Sequence, residues 1–250
     1  MKVLDIYNFL NDLAPVSTAL EFDNVGILVG DPDKEVKRAV VCLDCTPQVV
    51  KLACESSAEL IITHHPIIFE PLKSLVKSES NVVYSCIEKG ISVISMHTNL
   101  DVAVGGVNDC LANALELENI EPLADDEGFC FRKGTLKTEM STNQFAEFVK
   151  QKLGGNVRYT AVEKSIKTVS VCGGSGGSEL ETAMKSSDAF ITADIKHNVF
   201  ITAIANNYPL FDAGHFHTER VIIKPLTKAL SEGIKAIEFI EFNNDVIKTL

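Results

Sequence analysis

Leu60-Ile61-Ile62-Thr63-His64-His65-Pro66 is the stretch that decides the fold. Its first four residues form a short apolar run, which is typical of a buried strand covered on both faces of a sheet. Pro66 disfavours helical geometry at His65, so we expect the two histidines to follow the strand in an extended conformation. Successive side chains of an extended segment point to opposite faces. The pair is therefore predicted to serve two neighbouring metal ions and not to chelate a single one.

Outward from this stretch, short runs rich in Val and Ile alternate with segments of helical period, which indicates α/β architecture. Strands are predicted at residues 38–43, 60–63, 91–96, 129–135, 168–172, 189–192, 210–212 and 237–242. Helices are predicted at residues 5–13, 48–56, 82–89, 107–117, 143–153, 180–185, 198–206 and 219–230. The helix near residue 143 has a capping residue in Ser141 or Thr142.

An internal repeat runs through these elements. The segment Val36–Cys42 matches Ile166–Cys172 in character at an offset of 130, since 172 minus 42 is 130. Further along, His97–Asp101 matches His215–Glu219 at an offset of 118, and both copies spell His-x-x-x-acid. The repeat predicts a duplicated unit, with the polar residues of each copy just beyond strand ends, where open α/β sheets place their ligands.

The duplication predicts two similar lobes that share one site. The first lobe is expected to comprise residues 1–123 plus 209–250 and to carry all the candidate metal ligands. The second is expected to comprise residues 124–208, because the stretch that begins there has no counterpart in the first copy.

The candidate site residues are histidines and carboxylates of these strand-terminal motifs. A carboxylate can bridge two cations and offset their repulsion, while imidazoles complete each coordination sphere. The sequence therefore predicts a dinuclear site built from His64, His65, Asp101, His215 and Glu219. This nitrogen and oxygen set suits zinc, iron or manganese, and spacing does not choose among the three. His97 is a candidate proton carrier beside the site.

A glycine-rich segment, Gly173–Gly177, lies between a predicted strand and a predicted helix. Its backbone N–H groups could receive a phosphate there. A tight turn or close backbone packing accounts for the glycines equally well, because the segment lacks the Lys of a P-loop. Both interpretations stay open at this point.

The amino-acid composition indicates which kind of partner and which cellular compartment to expect. The formal net charge of −11 disfavours binding to nucleic acid, which depends on Lys and Arg releasing counterions from phosphates. The seven cysteines and the absence of a basic, then apolar leader favour a cytoplasmic protein. No apolar stretch reaches the roughly 20 residues that a membrane span needs.

At these residues the chain resembles the Nif-three-like family, also catalogued as GTP cyclohydrolase I type 2 homologues. The resemblance covers essentially the whole chain and rests on ordered motifs: Glu21–Gly30, Thr63–Pro66, His97–Asp101, Ile191–Asp194 and Gly214–Arg220. It implies two intertwined α/β lobes, a ring-shaped homohexamer, and the same five metal ligands, with Glu219 reaching both ions. It also implies the short form of the family, without an inserted domain.

Two functions follow from the resemblance and the predicted site. The first is a metal-dependent hydrolase that acts on a nucleotide-like substrate and opens the guanine imidazole ring of GTP or cleaves a phosphoester. The second is a non-catalytic ring assembly, stabilised by metal, that serves as a scaffold for other proteins. Fold alone does not decide between them.

Overall fold

The computed structural model describes residues 1–78, 80–125 and 128–247. The strands are β1 (Gly26–Val29), β2 (Arg38–Cys42), β3 (Leu60–Thr63), β4 (Ser92–Ser95), β5 (Glu118–Ala124), β6 (Cys130–Ser141), β7 (Arg158–Tyr159), β8 (Ser165–Val171), β9 (Ala189–Thr192), β10 (Leu210–Asp212) and β11 (Glu238–Glu241). The helices are α1 (Val3–Leu13), α2 (Pro47–Glu55), α3 (Val82–Lys89), α4 (Thr98–Val102), α5 (Val107–Ala114), α6 (Thr142–Leu153), α7 (Leu180–Ser186), α8 (His197–Ala205), α9 (His215–Glu219) and α10 (Ile223–Gly233). Strands and helices alternate around two sheets, which confirms the predicted α/β class.

The chain forms two compact units whose boundaries differ from the predicted lobes. Unit 1 comprises Met1–Val104 and Ile223–Asn244, and unit 2 comprises Gly105–Ile222 and the C-terminal residues from Asp245. Residues 105–123 and 209–222, predicted in the first lobe, cluster with unit 2. The reason is strand pairing, because β5 pairs with β6 and β10 pairs with β9. His215 and Glu219 consequently belong to unit 2.

The sheet of unit 1 has the strand order β1-β4-β3-β2-β11. Strands β2, β3 and β4 are parallel neighbours, β11 is parallel to β2, and β1 is antiparallel to β4. Ile61 and Ile62 are both fully buried, so both faces of β3 are covered, as its continuous apolar run predicts.

The sheet of unit 2 has the strand order β5-β6-β8-β9-β10-β7. Here β8, β9 and β10 are the parallel neighbours, and β7 is antiparallel to β10. Helix α6 begins with a capping box in which Ser141 and Gln144 satisfy each other's backbone N–H groups. Its Phe145 is fully buried and packs edge-on against Phe211, with ring centroids 5.1 Å apart.

Both sheets contain the same central pattern, which agrees with the predicted duplication. Each has three parallel strands joined by helices and one antiparallel strand beyond the last of them, namely β2-β3-β4 with β1 and β8-β9-β10 with β7. Within unit 1, polar segments follow β3 and β4, and within unit 2 they follow β9 and β10. The carboxyl ends of parallel strands thus position the candidate ligands of each unit.

The structure adds elements that the hydrophobic pattern does not reveal. Strands β1, β5 and β7 are not predicted, because β1 is an edge strand whose two middle residues are only half-buried, β5 is largely exposed and β7 has two residues. The helix predicted at residues 219–230 begins later, as α10 at Ile223, because Glu219 is the last residue of α9 and a 3₁₀ turn at Arg220–Ile222 separates the two helices. Pro225 lies in the first turn of α10, where a missing N–H costs no hydrogen bond. Among the described residues, no helix combines the length and apolarity needed to cross a membrane.

Candidate metal-binding histidine and carboxylate groups

In unit 1, His64 and His65 continue the backbone pairing of β3 beyond its last residue. The His64 N–H donates to the Cys42 carbonyl at 3.2 Å, and the His65 N–H donates to the Leu43 carbonyl at 2.9 Å. His64 is 1% exposed, and the two ring centroids lie 4.9 Å apart.

His97 joins this pair. One ring nitrogen from each of the three imidazoles lies within 4.8 Å of the others, close enough for a shared metal ion. The expectation that His64 and His65 face apart therefore does not hold, since their rings approach to 4.9 Å between centroids although the backbone pairing of β3 continues to His65. We call His64, His65 and His97 the histidine cluster.

Asp101 lies beside the histidine cluster because a short helix follows β4. Helix α4 begins at Thr98, and the Asp101 N–H donates to the His97 carbonyl at 3.0 Å. This turn brings Asp101 Oδ1 to 3.6 Å from His64 Nε2, with the carboxylate 8% exposed. Unit 1 thus assembles three of the five predicted ligands.

The corresponding helix of unit 2 assembles the other two. Gly214 has φ +83°, which allows the chain to turn sharply from β10 into α9. His215 and Glu219 stand at the two ends of α9, and Nε2 of the histidine lies 3.1 Å from Oε1 of the glutamate. Glu219 is 3% exposed, so a carboxylate is held in a buried place directly against an imidazole.

Each of the four imidazoles hydrogen-bonds to an oxygen atom through Nδ1. The acceptor is the Met96 carbonyl for His64 at 2.9 Å, and a carbonyl oxygen only accepts, so the proton of this ring is on Nδ1. The remaining rings bond to carboxylates: His65 to Asp44 at 2.8 Å, His97 to Asp23 at 2.8 Å and His215 to Asp194 at 2.7 Å. A carboxylate that accepts from Nδ1 fixes the neutral ring in the tautomer whose Nε2 can ligate a metal ion.

The Asp23 carboxylate is strongly perturbed by its surroundings. Burial alone would raise the pKa of Asp23, but hydrogen bonds from His97 and Thr98 outweigh it and lower the pKa to about 2. Thr98 contributes both its N–H at 2.9 Å and its hydroxyl at 2.5 Å. Asp23 is therefore ionised at neutral pH and holds His97 by a charge-assisted hydrogen bond.

The glycine segment of unit 2 packs against Glu219. The N–H groups of Gly173, Gly174 and Gly176 donate to Asn108, Thr218 and Thr192 side chains respectively. Gly174 has φ +62°, and a Cβ there would overlap Glu219 Oε1. The described contacts thus support close backbone packing, and these three N–H groups give no support to phosphate binding.

The supporting carboxylates Asp23 and Asp44 were not identified from the sequence. One signal was available, since Asp44 precedes His65 by 21 residues and Asp194 precedes His215 by the same 21. The interval is equal because each aspartate follows one strand and each histidine follows the parallel neighbour of that strand.

The remaining histidines stand apart. His197 begins helix α8, and His217 Nε2 lies 3.6 Å from Asp245 Oδ2. Neither occurs in a potential metal-binding group among the described residues.

The donor set fits the metals expected from the sequence. Imidazole nitrogen with carboxylate oxygen is the combination preferred by zinc, iron and manganese, whereas calcium and magnesium prefer oxygen alone. The protein therefore contains histidine and carboxylate groups that can hold a metal ion.

Comparison with known proteins gives matches along the whole length of the chain. The sequence model of the Duf34/NIF3 (NGG1p interacting factor 3) family matches residues 1–246. A GTP cyclohydrolase 1 type 2 homolog of Clostridium perfringens is 32% identical, over 96% of this chain and 95% of the relative. A protein of the same description from Campylobacter jejuni is 35% identical, over 92% of each chain. Among solved structures, a hypothetical protein of Staphylococcus aureus matches with a TM-score of 0.90 and 30% identity, over 100% of this chain and 99% of that one.

Proposed function

This chain belongs to the Duf34/NIF3 family, and on that premise we propose that it is a dinuclear metal-dependent hydrolase of a nucleotide-like substrate. The proposed ligands are His64, His65, Asp101, His215 and Glu219. The observation that carries the proposal is the common hydrogen-bonding arrangement of the imidazoles. Histidines that ligate a metal ion almost always donate their other ring N–H to a carboxylate or a backbone carbonyl, and this bond orients the ring with Nε2 toward the metal.

The two buried carboxylates supply the negative charge that such a site needs. Asp101 and Glu219 are 8% and 3% exposed, and an ionised carboxylate so deeply buried requires a compensating cation or hydrogen bonds. A bound divalent ion supplies Lewis acidity, which polarises substrate oxygen atoms and activates water.

His97 is proposed as the proton carrier. Its Nδ1–H is bonded to ionised Asp23, and this carboxylate stabilises the positive charge that appears when Nε2 accepts a proton. The His97 ring lies 5.3 Å from the His64 ring, centroid to centroid, so the proton would be taken at the edge of the histidine cluster.

GTP is the first substrate to test, because the relatives are described as GTP cyclohydrolase 1 type 2 homologs. The proposed reaction adds water to the guanine imidazole ring and opens it, while a phosphoester is the second substrate class. Formation of the ring-opened product and loss of the guanine absorbance would be followed together.

The decisive experiment combines metal analysis with turnover. Purified protein should contain two equivalents of zinc, iron or manganese, and replacement Glu219→Gln should reduce both the metal content and the turnover. Glu181→Gln is the matched control, because Glu181 is an exposed carboxylate in an i,i+4 ion pair and should change neither quantity. Metal-replete protein that turns over neither GTP nor a panel of phosphoesters would refute the hydrolase.

The same preparation tests the proposed homohexameric ring. Light scattering with and without a chelator would measure the mass of the assembly and its dependence on metal. Metal that is bound stoichiometrically, with an assembly that needs it and with no turnover, would favour the non-catalytic scaffold over the hydrolase.

A further inference from the structure

Two aromatic side chains beside the histidine cluster are exposed where burial is the rule. The chain contains 13 Phe, four Tyr and no Trp. Among these residues, all of which the structure describes, only Phe22, Phe69 and Tyr159 are exposed. Phe22 is 66% exposed and Phe69 is 47% exposed, yet they contact each other edge to face with ring centroids 6.3 Å apart. A single exposed aromatic needs no explanation, but a contacting pair forms a patch suited to a ligand.

The backbone that carries this pair is fixed by hydrogen bonds. Phe22 precedes Asp23, whose carboxylate accepts from His97 and from Thr98. Asn24 donates its side-chain N–H to the Ile68 carbonyl at 2.6 Å, one residue before Phe69. The two segments are therefore tied to each other and to the residues after β4, so little conformational entropy is lost when a ligand binds there.

The pair also adjoins the proposed chemistry. The Phe69 ring meets the His97 ring edge to face, with centroids 6.2 Å apart and an interplanar angle of 88°. A flat ligand that lies against Phe69 would thus extend toward the imidazole that the proposed function uses as proton carrier. An aliphatic ligand would gain burial there but no stacking, whereas a heteroaromatic base gains both.

We propose that Phe22 and Phe69 form an aromatic subsite that binds the nucleobase of the substrate and presents its ring to His97. The inference rests on the proposed function, and it specifies that the recognised part of the nucleotide is the base and not the phosphate. The acidic composition of the chain agrees with this, because a formal net charge of −11 offers little attraction for phosphates outside the proposed metal site.

The test uses the absence of tryptophan from the chain. Replacement Phe22→Trp keeps an aromatic ring at the subsite and introduces a single fluorescent reporter, which a stacked guanine should quench. Metal-replete full-length Phe22→Trp protein would be titrated with GTP, guanosine and inorganic triphosphate. Saturable quenching by GTP and guanosine but not by triphosphate is the expected result.

Affinity measurements on alanine variants complete the test. Stacking on one aromatic side chain corresponds to roughly 5- to 150-fold in affinity, so Phe69→Ala should weaken guanosine binding by about tenfold or more by calorimetry. Phe69→Tyr should retain binding, and Ile201→Ala, at an equally exposed apolar residue of unit 2, should leave it unchanged. Circular dichroism would confirm that each variant is folded.

Two results would overturn the subsite. One is full guanosine affinity in the Phe22→Ala, Phe69→Ala double variant. The other is quenching of Phe22→Trp by inorganic triphosphate alone, because the aromatic pair would then not bind the base. Guanosine binding is measured separately from turnover, so a protein that binds guanosine but turns over neither GTP nor a phosphoester would refute the proposed reaction and retain the subsite.

Discussion

Removing Asp44 should weaken metal binding without removing a ligand. Asp44 accepts the Nδ1–H of His65 at 2.8 Å and so keeps Nε2 of that ring available for a metal ion. Loss of such a supporting carboxylate typically lowers metal affinity 10- to 100-fold. The Asp44 side chain is 50% exposed and the His65 side chain 23% exposed, so water can replace the lost acceptor in Asp44→Ala. We therefore expect Asp44→Ala to lower the metal affinity by about tenfold, the lower end of this range, which corresponds to about 1.4 kcal/mol.

The assay is a competition titration of metal-free protein with zinc and a chelating dye. Asp44→Asn keeps an oxygen acceptor and should lose less affinity than Asp44→Ala, while Glu181→Gln should match the unchanged protein. Asp194→Ala provides a second measurement, because Asp194 supports His215 in the same way at 2.7 Å and is 58% exposed. Zinc affinity that is unchanged in both alanine variants would refute the reasoning that these carboxylates prepare the imidazoles for metal.

Three further predictions concern stability and are independent of the proposed reaction. Gly174→Ala should lower the free energy of unfolding by roughly 1–3 kcal/mol in thermal denaturation, because the φ of +62° and the overlap of a Cβ with Glu219 both oppose a side chain. Gly177→Ala is the control and should have a small effect, because a Cβ there meets nothing within 4 Å. Phe145→Ala should cost about 3–5 kcal/mol in denaturant titration, since the ring is fully buried; a cost equal to that of the partly buried Phe148→Ala would contradict the packing described for unit 2. Burial alone would raise the pKa of Asp188, but hydrogen bonds from Thr168 and Lys167 outweigh it and lower the pKa. The stability that Asp188 adds is therefore complete above its ordinary pKa of 3.8 and is lost as the pH falls below that value. The difference in unfolding free energy between the unchanged protein and Asp188→Asn should accordingly shrink on acidification, and a constant difference would contradict this.

The sequence predicts the parallel centre of each sheet well, because those strands are covered on both faces. Leu60–Thr63, Ala189–Thr192 and Leu210–Asp212 are found with the predicted bounds. Their apolar runs are continuous, and a buried parallel strand has no solvent-facing side to interrupt the pattern. The edges are different, since exposed β5 carries Glu118, Glu121 and other polar residues and so leaves no apolar signal.

The division into units was harder to predict, because it depends on pairings between segments distant in sequence. Strand β10 resembles any short apolar run, and only its register with β9 and β7 assigns it to unit 2. The predicted ligands were selected by residue type and spacing, which is local information. Their supporting partners were missed because Asp44 and Asp23 reach the histidines from other strands and turns, and no local pattern marks such a contact.

The repeat explains why the two units offer different ligands at equivalent places. After β4 and β10 both copies keep a histidine and an acid, His97 with Asp101 and His215 with Glu219. After β3 and β9 they diverge, since the offset of 130 that relates these strands aligns His64 with Asp194. Asp194 accepts a hydrogen bond from His215, whereas His64 donates one to a carbonyl and directs Nε2 toward Asp101. At this position unit 1 thus has an imidazole where unit 2 has a supporting carboxylate, so the candidate ligands of unit 1 are rich in nitrogen while those of unit 2 are one imidazole and a buried carboxylate. If the proposed site binds two ions, these unequal candidate ligands should give the ions different affinities, which a zinc titration would separate.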